Sequence, residues 1–143
     1  MEHRVRGARE SEGGLKGLVV WHRAMELMVE SYQVAAALPT EERAGLTDQI
    51  RRAAVSVPAN IAEGHGHQHL GDYLRYLSVA SGSLAELHTL LLATERLSYR
   101  SPTQLLRPLA LATETTRMLM ALTTAIRRRK DGERRPSPLN PSS

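Results

Sequence analysis

SVPANIAEGHGH, residues Ser56 to His67, decides how this chain is read. Apolar residues Leu46, Ile50, Ala53 or Ala54, Val57 and Ile61 approach and cross it at steps of three and four, the period of a helix face. Pro58 stands inside that pattern, where it removes the bond to the Ala54 carbonyl at a cost of about 3 kcal/mol. A helix keeps such a residue where a bend is wanted or where a partner satisfies the freed carbonyl. Gly64 and Gly66 then end the helix, as C-cap residues do.

Working outward, the same period recurs and sustained alternation does not. A first helix is predicted from about Leu18 to Leu38, with Leu18, Trp21, Met25, Met28, Val29 and Tyr32 on one face, and Pro39 stops it. Thr40 is placed to cap the next helix, with Glu41 and Glu42 in its first turn. A third helix spans about Leu70 to Ser98 on a stripe of Leu70, Tyr73, Leu74, Leu77, Leu84, Leu87 and Leu91. The small residues of SVASGS at its centre leave room for another backbone. Ser101 and Pro102 start a fourth helix as cap and first residue. It carries Leu105, Leu109, Ala112, Leu119, Leu122 and Ile126, with a kink expected at Pro108. Short loops force neighbouring helices antiparallel, so the expected fold is all-α, an up-down-up-down four-helix bundle. Residues 1–17 form a flexible extension in this reading, 18–128 the bundle, and 129–143 a basic, Pro/Ser-rich disordered tail.

At 143 residues, 41% of them apolar, the chain suits a single globular domain. It has no cysteine, which excludes disulfides, thiolate metal sites and cysteine nucleophiles. No apolar run approaches the roughly 18 residues of a membrane helix, and no signal-peptide core opens the chain. A soluble, cytoplasmic protein is expected. The net charge of +4 resides in RRRKDGERR, residues 127–135, and the remainder is neutral. Lys16 and Lys130 are the only lysines. Arginine is the better phosphate fork, so the bias leans toward nucleic acid, although a solvated tail has the same composition.

A polar stripe runs beside the apolar one on helix two: Gln49, Arg52, Ser56, Asn60 and Glu63, at helical spacing. Alanines interleave it and permit close packing. Either a satisfied polar seam or a recognition surface fits.

The run LTDQIRRAAVSVPANIAEGHG, Leu46 to Gly66, resembles the signature of the 23S rRNA intervening-sequence proteins. VVWHRAMEL before it and YLRYLSVASGSLAELHTLLLATERL after it extend the resemblance from about Leu18 to Tyr99, with a weaker fit through helix four. The chain is similar also to accessory proteins of diversity-generating retroelements. The resemblance implies a four-helix bundle, commonly a homopentameric ring, without an assigned activity. It implies as partners other copies of the chain, RNA or DNA, and a reverse transcriptase. Gln49, Arg52, Ser56, Asn60, Glu63, Ser83 and Glu86 match the family motif, and are expected to serve as a seam or subunit contact. The N-terminal extension, the HGHQH loop, Pro108 and the basic tail depart from the family.

Catalytic and metal sites find little support. A di-iron bundle needs Glu-x-x-His pairs, and none occurs; Glu86 and His88 are two apart and face differently. His65, His67 and His69 are weak metal candidates on a glycine-hinged loop. Nucleophilic triads and phosphate loops are absent. No cofactor and no enzyme activity are expected. Nucleic acid would be held by phosphate contacts, because aromatic platforms are few. Arg51, Arg127, Arg128, Arg129, Lys130, Arg134 and Arg135 are the candidates. The leading expectation is a non-enzymatic oligomer that binds nucleic acid, followed by an adaptor for a protein such as a reverse transcriptase, then a purely structural ring.

Overall fold

The computed structural model describes residues 14–15 and 18–134, Arg134 by its backbone alone. Four long helices make up the described chain: α1 (Val19–Ala36), α2 (Leu46–His65), α3 (Leu70–Arg96) and α4 (Pro102–Arg134). Each packs on its sequence neighbours, and α1 also packs on α4. The fold is all-α, and the described residues contain no strand.

The core runs the length of these contacts. Ile50, Val57 and Ile61 of α2 meet Leu77, Leu84, Leu87 and Leu91 of α3, with Leu27 of α1 and Leu105 and Leu119 of α4. The stripes expected on α2 and α3 are therefore the buried ones. On α1 the fully buried stripe is Val20, Ala24, Leu27, Ser31, Val34 and Ala35, with Leu18, Trp21 and Met28 of the expected face partly buried against the core. Successive residues are about 100° apart, so Trp21 lies one step round from Val20 on a second stripe of the same period. That second stripe has the larger side chains, and its Val29 and Tyr32 remain 50% and 40% exposed. Ser31 sits in the core with its hydroxyl unpartnered.

Helix ends differ from expectation in three places. Thr40 does not cap α2; Thr40–Glu42 form one 3₁₀ turn and α2 begins at Leu46. Its end is held by Glu42, whose carboxylate accepts the Leu46 N–H at 3.1 Å and the Tyr99 hydroxyl at 3.2 Å. A carboxylate there also complements the helix dipole. Gly64 is not a cap but a buried residue within α2. A Cβ on it would lie 2.9 Å from Tyr76 Cβ, so glycine is what lets α2 and α3 close on each other. At the far end, α4 continues to Arg134, so the basic segment placed in a disordered tail from 129 is helical as far as it is described.

The expected start of α4 holds. Ser101 Oγ accepts from Gln104 N–H at 3.2 Å while Gln104 Oε1 accepts from Ser101 N–H at 2.9 Å, a reciprocal cap before Pro102. Pro58 and Pro108 are both buried inside helices that continue past them. The α3 end uses a residue no sequence signal marked. Ser98 has φ 63°, and the Ser98 and Tyr99 N–H groups return to the carbonyls of Glu95 and Thr94, both at 2.9 Å. That is a Schellman ending with serine where glycine usually stands.

Candidate functional site

Two regions gather the residues singled out in the sequence. The first is the outer face of α2 and α3. Ser56 Oγ and Ser83 Oγ lie 2.7 Å apart across the helix pair, and Asn60 Nδ2 donates to the Ser56 carbonyl at 2.8 Å and its hydroxyl at 3.0 Å. These three half-buried residues form one network tying α2 to α3. The other motif positions stay at the surface of the single chain: Gln49, Arg52, Glu63 and Glu86 are exposed. Arg52 reaches only Asp48, at 3.5 Å, with its side chain 74% exposed. Around the network Val55, Ala59, Val79 and Gly82 are also exposed, and nothing lies within 4 Å of a Cβ added at Gly82. At Gly82 the close approach that SVASGS permits is left unfilled among the described residues.

The second region is the end of the bundle where α2 stops, α3 starts and α4 finishes. Arg127, Arg128, Arg129 and Lys130 follow one another on α4, so steps of about 100° spread them round the helix. Arg127 lines a groove against Leu74 and Ser78 of α3. Arg129 is near enough to Tyr73 to favour its phenolate, while Lys130 Nζ comes within 3.5 Å of a Cβ placed on Gly71. Arg128 is exposed. Among the described residues none of these four cations has an ion-pair partner. Arg134 lies on the last turn of α4, and Arg135 is outside the described residues.

Aromatic rings collect at this same end, which composition alone did not suggest. His67 stacks on Tyr76 with centroids 5.0 Å apart, and the Arg75 guanidinium sits 4.7 Å from the Tyr76 centroid. His65 Nδ1 is 3.2 Å from the Tyr73 hydroxyl. Burial raises the Tyr73 pKa, against a smaller opposite pull from Arg129. The signal for Arg75 and Tyr76 was their place one turn from the histidine loop, visible only once α2 and α3 are paired.

The three loop histidines do not converge as metal ligands. His65 is turned to Tyr73 and His67 to Tyr76, while His69 is exposed at the start of α3. No group of three His, Cys, Asp or Glu among the described residues is arranged to hold a metal ion. Arg51 stands apart from the α4 cations. Its guanidinium lies 5.7 Å from the Tyr32 ring, and its Nε is buried without a hydrogen-bond partner. It borders an apolar groove of roughly 620 Å³ formed with Met28, Val29, Tyr32 and Ala36 of α1. No helix among the described residues is long and apolar enough to cross a membrane.

Against known proteins, no curated protein matches the chain. Among solved structures it is similar to a protein of unknown function from the S23 ribosomal protein family of Bacteroides thetaiotaomicron VPI-5482. That likeness covers 73% of this chain and 98% of the other at 24% identity, with a TM-score of 0.67, and it concerns the fold alone. The profile of the 23S rRNA-intervening sequence proteins matches residues 16–121. That span takes in the motif on α2 and α3 and ends within α4 before the basic turns, and the chain belongs to the 23S rRNA-intervening sequence protein family.

Proposed function

We propose that this protein is a non-enzymatic, cytoplasmic, homo-oligomeric bundle that binds RNA, or another nucleic acid, by its phosphate backbone. One observation carries the reading: Arg127, Arg128, Arg129 and Lys130 stand on a folded helix, without a carboxylate partner among the described residues, at the same end of the bundle as the Arg75–Tyr76–His67 cluster. Cations without a carboxylate partner are available to displace counterions from a polyanion. Backbone-directed binding of this kind has little base preference.

The ring expected of the family would multiply a weak site, since several basic helix ends on one particle act through effective concentration. Contact registers support antiparallel helices: Arg23 pairs with Glu114 at 2.8 Å and Arg107 with Glu30 at 2.7 Å, so α1 descends as α4 ascends. An up-down-up-down course fits those registers. The uncovered small-residue face about Gly82, bearing the motif residues Ser83 and Glu86, is our candidate for the subunit contact.

A second reading, an adaptor for a protein partner such as a reverse transcriptase, is favoured by the exposed apolar groove of Met28, Val29 and Tyr32 beside Arg51. Fluorescence anisotropy with a labelled single-stranded RNA over a salt series separates the two. The nucleic-acid reading expects binding that weakens linearly on a log–log salt plot, and a shallower slope for Arg128→Gln/Arg129→Gln/Lys130→Gln. Absence of binding at low salt turns the assignment to the protein partner.

A further inference from the structure

We infer that the groove between α3 and α4 seats one phosphodiester of the bound strand, held by the Arg127 guanidinium and the hydroxyls of Ser78, Ser81 and Thr124. The inference rests on the nucleic-acid reading above and assigns it a specific place.

Two long helices in contact ordinarily fill their seam with Leu and Ala. Here α3 presents Ser78 and Ser81, three apart, toward α4, which answers with Met120, Thr124 and Arg127 at steps of four and three. The result is an open groove of roughly 300 Å³ between the helices. Its chemistry is one-sided. Thr123, also at the groove, commits its hydroxyl hydrogen to the Leu119 carbonyl at 2.8 Å. Ser78, Ser81 and Thr124 have no internal hydrogen-bond partner among the described residues, and Arg127 has no carboxylate. No lining residue is acidic.

Three hydroxyl donors without a partner among the described residues and a guanidinium fork, with no acidic residue in the lining, suit a tetrahedral anion and penalise a cation. Arginine matches phosphate in a bidentate manner that an ammonium cannot. The apolar part of the groove, Leu74, Leu77, Leu119 and the 63%-exposed Met120, offers a surface for the ribose rather than a donor–acceptor pattern for a base edge. The site therefore fixes a backbone and reads no sequence. Arg128, exposed elsewhere on the same helix, is not among the groove residues and provides an internal control of equal charge.

The test compares four full-length variants binding a labelled single-stranded RNA across a salt series, with circular dichroism melts to check folding. Ser78→Ala/Ser81→Ala/Thr124→Ala removes donors but no charge, and alanine is the better helix former, so the bundle is retained. It is expected to weaken binding about tenfold with an unchanged salt slope. Arg127→Gln should weaken binding and reduce the slope by about 0.7. Arg127→Lys should restore the slope and not the affinity. Arg128→Gln should change affinity less than Arg127→Gln does. If the triple variant binds as the parent does and the two glutamine variants weaken binding equally, the helix end acts as diffuse charge and the groove assignment is overturned while RNA binding stands. If the parent protein itself ignores RNA, both fall.

Discussion

Ser56 on α2 and Ser83 on α3 meet hydroxyl to hydroxyl at 2.7 Å, and Asn60 closes the network by donating to the Ser56 carbonyl and hydroxyl. This is the polar part of the α2–α3 seam, and it should show in stability. Ser83→Ala is expected to cost about 1 kcal/mol, and Asn60→Leu rather more because two bonds are lost. Arg52→Ala, at the same stripe but exposed, should stay within about 0.5 kcal/mol. Urea midpoints for the three variants give the order directly; a larger loss at Arg52 than at Asn60 refutes this division.

Gly64 and Gly82 provide a paired contrast. At Gly64 an added Cβ meets Tyr76 Cβ at 2.9 Å, whereas at Gly82 it meets nothing within 4 Å. Gly64→Ala should destabilise by about 1–3 kcal/mol through overpacking, despite its better helix propensity. Gly82→Ala should leave folding unchanged or improve it by up to about 1 kcal/mol. Any penalty at Gly82 should appear as a change of particle mass instead, read by light scattering.

How much of this was legible without coordinates depends on the element. The repeated Leu stripe of α3 and the Ser101–Pro102 start of α4 were plain, because large apolar spacing and cap chemistry are local. The buried face of α1 is only partly legible: Leu18, Trp21 and Met28 do pack against the core. Its true stripe uses Ala24, Ser31 and Ala35, whose small size suits close packing, while the larger Met25, Val29 and Tyr32 lie off it. Gly64 read as a cap because glycine has two uses, and only the approach of Tyr73 and Tyr76 decides between them. The basic segment read as a tail because charge density masks helical continuity. The end cluster joins residues from three helices, and no linear motif spans it.

Ser98 holds a left-handed φ of 63° at the α3 ending. A side chain in that conformation costs roughly 1 kcal/mol, which glycine avoids at some entropic expense. Ser98→Gly should therefore raise stability by a few tenths to about 1 kcal/mol. Thermal unfolding checks it, and a drop in melting temperature would mean the serine does more than occupy the turn.

Burial raises the pKa of both Tyr73 and Tyr99 above the ordinary 10.0, and the hydrogen bond to Glu42 adds to the effect at Tyr99. The unfolded chain loses these protons near pH 10 while the folded chain keeps them. Their contribution is thus complete below about pH 10 and lost as pH rises through the folded values. Urea midpoints should be flat in this respect to about pH 9 and fall beyond it, with Tyr73→Phe showing a shallower fall.

The most direct measurement is light scattering of the purified protein, alone and with mixed-length RNA, at low and at physiological salt. The expected result is a stable oligomer of pentamer size that gains RNA mass at low salt and sheds it as salt rises. A monomer, or an oligomer whose mass is the same with and without RNA at both salts, contradicts it.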